Sequence, residues 1–133
     1  MGYRSDVAYV IKFHTIEDRD NFVTLMLAKN DPVTTQALDE CEHGYKDDPL
    51  ISFQTEDVKW YESFSDVKMH HSLMEQAQEL YNAGWRFVRI GEDTGDIEQS
   101  EHGEMDLWEY MEARSYINAS LPHIQGVASE LQV

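Results

Sequence analysis

One cysteine, Cys41, occurs in the 133 residues, so no intrachain disulfide can form and a disulfide-stapled secreted fold is excluded. A reducing cytoplasm is the compartment expected. Cations are scarce too: 10 Lys and Arg stand against 26 Asp and Glu, a formal net charge of −16. Phosphate contacts need Lys and Arg, so direct binding to DNA, RNA or anionic lipid is not expected. Three prolines and seven glycines are too few for a collagenous or low-complexity chain. No apolar run nears the roughly 18 residues of a membrane span. The opening Met1-Gly2-Tyr3-Arg4-Ser5-Asp6 has no apolar core or cleavage pattern, and Asp6 stands where a myristoylation start needs a small hydroxyl residue.

What is present is a well-patterned chain. Apolar residues make up 41%, enough for one core, and residues 1–133 read as a single α+β domain. Val7, Tyr9, Ile11 and Phe13 alternate, a period-2 strand signal. Thr15 offers an N-cap, and Phe22, Leu25 and Met26 recur at helical spacing until Asn30-Asp31-Pro32 stops the helix. Gln36 to Glu42 suggests a short helix. Leu50-Ile51-Ser52-Phe53 and Val58 to Tyr61 read as two strands of a hairpin turning at Thr55-Glu56-Asp57. Ser65 or Asp66 caps the next helix, whose apolar stripe is Val67, His70, Leu73, Met74, Ala77, Leu80 and Tyr81, with Gly84 at its left-handed end. Trp85 to Ile90 is a strand, Gly91 to Gly95 a turn, and Ile97 to Ser100 a short return. Met105 to Ile117 predicts an acidic C-terminal helix, and residues 118–133 a loose or docked tail. The order β-α-β-β-α-β predicts a ferredoxin-like antiparallel sheet with its helices on one face.

The acids cluster. Glu92, Asp93, Asp96, Glu98, Glu101, Glu104, Asp106, Glu109 and Glu112 follow one another with no Lys or Arg between Ile90 and Ala113. Such a run repels itself unless something compensates it. Duplex DNA presents about one charge per 1.7 Å of axis, and a row of carboxylates can imitate part of that spacing. The functional reading is a partner-binding acidic face that mimics DNA; the plainer one is a solvated, solubilising surface.

Other chemistry is sparse. Trp60, Tyr61, His70, Arg86 and Arg89 are the residues from which a small-ligand or nucleotide pocket beside the sheet would be built. The aromatics on the strands read first as packing under the helices, and the RNA-binding signature is absent. His71 and Glu75 stand four apart on a helix, but no third ligand accompanies them and the sequence is not H-E-x-x-H. Cys41-x-His43 lacks a second pair. A calcium loop begun at Asp96 fails at Glu101, where Gly is needed, and at Leu107, where a bidentate Glu is needed. No metal, cofactor or catalytic constellation is therefore expected, and the chain reads as a binding protein and not an enzyme.

Met1-Gly2-Tyr3-Arg4-Ser5-Asp6-Val7 and Val58-Lys59-Trp60-Tyr61-Glu62-Ser63 resemble segments of small proteins encoded by bacteriophages and prophages, and the strand end Arg89-Ile90-Gly91-Glu92 is similar to theirs. The likeness spans residues 1 to 100 in the order of elements and carries no catalytic motif. It implies a phage accessory protein of the bacterial cytoplasm. With the acidic run, it leads to an expected inhibitor of a host defence or nucleic-acid-processing protein. The exposed sheet edge and the aromatics also offer surfaces for a homodimer.

Overall fold

The structure, a computed structural model, describes residues 2–103. Its elements follow in the order β1 (Ser5–Lys12), α1 (Ile16–Ala28), α2 (Pro32–Asp39), β2 (Leu50–Val58), α3 (Ser65–Tyr81), β3 (Gly84–Gly91) and β4 (Ile97–His102). The strands form one antiparallel sheet in the order β2-β1-β3-β4. The fold is α+β.

Period-2 alternation decides which side chains meet the helices. Val7, Tyr9 and Ile11 of β1, Ile51 and Phe53 of β2 and Phe87 of β3 join one buried core with Phe22, Met26, Leu38, Leu73, Met74 and Ala77 of the three helices. The helices therefore share one face of the sheet. The opposite face carries a smaller apolar cluster of Ala8, Val10, Leu50, Val88 and Ile90, with Tyr45 packed against it. Among the described residues no helix is long and apolar enough to cross a membrane.

Local chemistry sets the helix ends. Thr15 caps α1 as expected, its Oγ1 accepting the Asp18 N–H at 3.0 Å. α1 ends before Asn30-Asp31-Pro32, as expected, and Pro32 also opens α2. Asp31 is the N-cap and Pro32 stands in the first turn, where a missing N–H costs no helical hydrogen bond. The short helix expected at 36–42 thus begins earlier and ends at Asp39. At the end of α3 the left-handed residue is Asn82, with φ 52° and ψ 37°, and not Gly84, which already belongs to β3. Asn tolerates this region better than most side-chain-bearing residues.

The largest correction concerns the sheet. No hairpin turns at 55–57, because β2 runs unbroken along β1, from Leu50 opposite Lys12 to Val58 opposite Ser5. The polar run is absorbed by a bulge at the strand end. The register shifts between Ser5 and Val7, Asp57 takes a φ of 54°, and the Asp6 carboxylate accepts the Asp57 N–H at 2.9 Å. With that strand merged, the hairpin is β3–β4, and β1 lies antiparallel to both β2 and β3. The order is β-α-α-β-α-β-β, which differs from the expected ferredoxin-like β-α-β-β-α-β. The C-terminal helix and the tail fall outside the described residues.

Candidate functional site

The three helices do not extend across the whole sheet. α1 lies over β2 and α3 over β3, while β4 makes its principal packing with β3. The β3–β4 register puts Glu98 and Ser100 on the same face as Arg89 and Phe87, beside the flank of α3. A cleft results between that helix, the loop after β2 and the hairpin. One part, of about 300 Å³, is lined by Trp60, Tyr61, Glu62, His71, Arg89 and Glu98. An adjoining part of about 420 Å³ adds Lys68, Ser72, Glu75 and Ser100.

Of the five pocket residues expected from sequence, Trp60, Tyr61 and Arg89 meet here. His70 and Arg86 do not. His70 is in the core, and its neighbour His71 faces the cleft. The signal was available: Val67, His70 and Leu73 share the buried side of α3, and one residue is about 100° of helix rotation. Arg86 alternates with Arg89 and lies on the opposite sheet face, paired with Val10.

Trp60 forms the aromatic wall. Its ring lies 5.8 Å from Phe53, 5.7 Å from His70 and 6.0 Å from His71, and His71 in turn lies 4.9 Å from Phe87. Among the described residues, the side chains of Glu62, Glu75 and Lys68 and the ring nitrogens of His71 have no hydrogen-bonding or ion-pair partner.

Arg89 uses four of its five N–H groups inside the fold. It donates from Nε to Glu98 at 2.9 Å, from Nη2 to Asp96 at 2.9 Å, and from Nη1 to Asp96 at 3.2 Å and Ser5 at 3.1 Å. These carboxylates hold its guanidinium above the ordinary arginine range, with the Asp96 bonds the largest cause. Asp96 is correspondingly held below the usual carboxylate range, by Arg89 first and then by Tyr3. The Tyr3 hydroxyl donates to Asp96 at 2.5 Å and accepts the Asp93 N–H, while the Tyr61 hydroxyl accepts the Tyr3 N–H at 2.7 Å. The Arg4 N–H reaches the Glu92 carboxylate at 2.7 Å. The segments around Tyr3, Tyr61 and Gly91, separate in sequence, therefore knit one end of the sheet. A Cβ on Gly91 would collide with the Asp96 and Tyr3 side chains.

Of the acidic run, Glu92, Asp93, Asp96, Glu98 and Glu101 lie within the described residues; Glu104, Asp106, Glu109 and Glu112 lie outside them. The run lacks cations in sequence but not in space. Arg86 pairs with Glu101 at 3.0 Å and Arg89 with Asp96 and Glu98, all across the β3–β4 hairpin. Antiparallel pairing supplies the compensation that a linear reading missed.

A second polar group is enclosed in the core. The Tyr9 hydroxyl lies 2.6 Å from His70 Nδ1 and 3.4 Å from Cys41 Sγ, and His70 Nε2 lies 2.9 Å from Glu40 Oε1. Burial drives the His70 pKa below its ordinary 6.5. A neutral ring satisfies every atom: Cys41 S–H donates to Tyr9, Tyr9 O–H to Nδ1, and Nε2–H to Glu40. Burial also pushes the Cys41 thiol up to about 12, so it is not a thiolate nucleophile.

Among the described residues, no three His, Cys, Asp or Glu side chains are arranged to hold a metal ion, and His71 with Glu75 stays a two-residue fragment of the cleft. No family model matches the chain, and neither a curated protein nor a solved structure gives a match.

Proposed function

We propose that this chain is a non-enzymatic phage accessory protein of the bacterial cytoplasm. It binds a basic surface of a host defence or nucleic-acid-processing protein through its acidic exterior. One observation carries this reading. All four arginines of residues 2–103 are engaged internally: Arg4 with Asp57, Arg19 with Asp20, Arg86 with Glu101, and Arg89 with Asp96 and Glu98. Those residues hold 9 Lys and Arg against 21 Asp and Glu, a net −12. Exposed carboxylates such as Glu17, Glu56, Glu75 and Glu79 remain on α1, β2 and α3. The charge that reaches solvent is thus negative over several elements, which favours cationic partners and opposes phosphate.

The alternative, a small-ligand or nucleotide-sequestering protein, retains the cleft but loses both arginines as anion donors. A thermal-shift panel of nucleotides separates the two, since a saturable rise with one compound would favour the pocket.

The direct test is capture from bacterial lysate on the immobilised protein. The retained species should be nucleic-acid-binding proteins, released by moderate salt and by duplex DNA. Glu17→Gln, Glu56→Gln, Glu75→Gln and Glu79→Gln combined should weaken retention without unfolding the protein. Unchanged retention by that variant, or retention indifferent to salt and DNA, would remove the acidic exterior as the binding surface.

A further inference from the structure

We propose that the cleft between α3 and β4 is a receptor for an arginine side chain of a basic partner segment; this rests on the reading above and gives it a location. The argument begins with shape. Among the described residues, α1, α2 and α3 do not cover the β4 flank, and a concave space of about 300 Å³, with an adjoining 420 Å³, lies there. A side chain can enter it. Its wall is the Trp60 ring, beside the His71 ring at 6.0 Å. A guanidinium plane stacks on such a face and is more weakly hydrated than an ammonium, so arginine is preferred to lysine.

Acceptors are at hand. Glu62 and Glu75 line the cleft from two different elements and have no partner among the described residues. Glu98, the third carboxylate, is already anchored by Arg89 at 2.9 Å and is held rigidly at the far wall. Arg89 keeps Glu98 for itself and is a poor anion receptor, because Asp96, Glu98 and Ser5 take four of its five N–H groups. Among the described residues, Lys68 is a cation of the lining with no hydrogen-bonding or ion-pair partner. It suits a neighbouring carbonyl of the same bound segment, so a peptide fits the cleft better than a free metal ion or a bare amine. The Trp60 Nε1–H is buried without an acceptor, which leaves it available to the same kind of group after a small ring movement.

The test uses the full chain and synthetic nona-arginine and nona-lysine peptides, followed by titration calorimetry at low salt. Nona-arginine should bind more tightly than nona-lysine. Glu62→Gln with Glu75→Gln should weaken nona-arginine by about tenfold or more, as expected for loss of partly enclosed charge pairs. A control pair of equal charge change remote from the cleft, Glu17→Gln with Asp47→Asn, should weaken it by only about twofold. Ser100→Trp, which fills the cleft and alters no charge, should weaken binding as the first pair does. Circular dichroism and the thermal midpoint of each variant confirm that it is folded. Equal losses from the cleft and control pairs, with Ser100→Trp silent, would overturn the cleft and leave the acidic exterior standing. No saturable binding of either peptide to the wild-type chain would overturn both.

Discussion

At the scale of single residues, His70 shows how a polar group belongs to a core. It lies on the apolar stripe of α3 and is 1% exposed, yet it bonds to Tyr9 and Glu40. His70→Phe keeps an aromatic ring on the stripe and leaves the Tyr9 hydroxyl without its acceptor. The expected cost is about 1–3 kcal/mol, read from urea unfolding at pH 7.5. The pH dependence has a definite sign. Burial lowers the folded-state pKa below the ordinary 6.5, so the unfolded state binds more protons as pH falls. The wild-type advantage should be complete above pH 6.5, shrink as pH falls below it, and level off beneath the folded-state pKa. An advantage that is constant from pH 7.5 to 5 would mean that the ring is not held neutral. The stripe and the burial of His70 were legible in the sequence. Its two partners were not, because Tyr9 and Glu40 are 61 and 30 residues away.

At the scale of elements, the alternation of β1 and the period of α3 were read correctly because a buried face imposes them directly. A break was read within β2 because Thr55-Glu56-Asp57 has turn composition. That composition is equally suited to an edge strand with one solvated side, and β1 offered a full-length partner. The same long-range pairing hid the neutralisation of the acidic run. The β3–β4 hairpin is held by it: Arg89 is 17% exposed at its side chain and bridges Ser5, Asp96 and Glu98. Arg89→Gln should destabilise the fold by about 1–3 kcal/mol, the range for charge-assisted hydrogen bonds in a partly buried setting. Hydrogen exchange should rise first in β4, whose main packing is with β3. If exchange rises evenly across all four strands, the arginine is a general stabiliser and not the hairpin clamp. For the cleft, Trp60, Tyr61 and Arg89 were legible, while Arg86 falls on the other sheet face and the choice of His71 over His70 needed the helix phase to be followed one residue further.

At the scale of the whole molecule, the charge poses a contest between attraction and repulsion. Residues 2–103 carry a net −12, and a domain of this size has a radius of gyration near 13 Å. Two like charges about 20 Å apart in water repel by roughly 0.2 kcal/mol. Summed over the pairs among twelve excess charges, that is on the order of 10 kcal/mol before screening, and an expanded unfolded chain relieves roughly half of it. The cross-strand pairs oppose this with about 1–3 kcal/mol at the partly buried Arg89, and the more exposed ion pairs add only about 0–1 kcal/mol each. Repulsion should therefore win at low ionic strength. Raising NaCl from 10 to 200 mM shortens the Debye length from about 30 Å to below 10 Å, which removes most of the distant repulsion and little of the contact pairs. The thermal midpoint should rise with salt, and rise most steeply below 100 mM. A midpoint that falls over that range would show that the arginine clamps outweigh the self-repulsion. The same argument bears on binding: a basic partner relieves the repulsion as salt does, so its stabilising effect should be largest in dilute buffer and fade as salt is added.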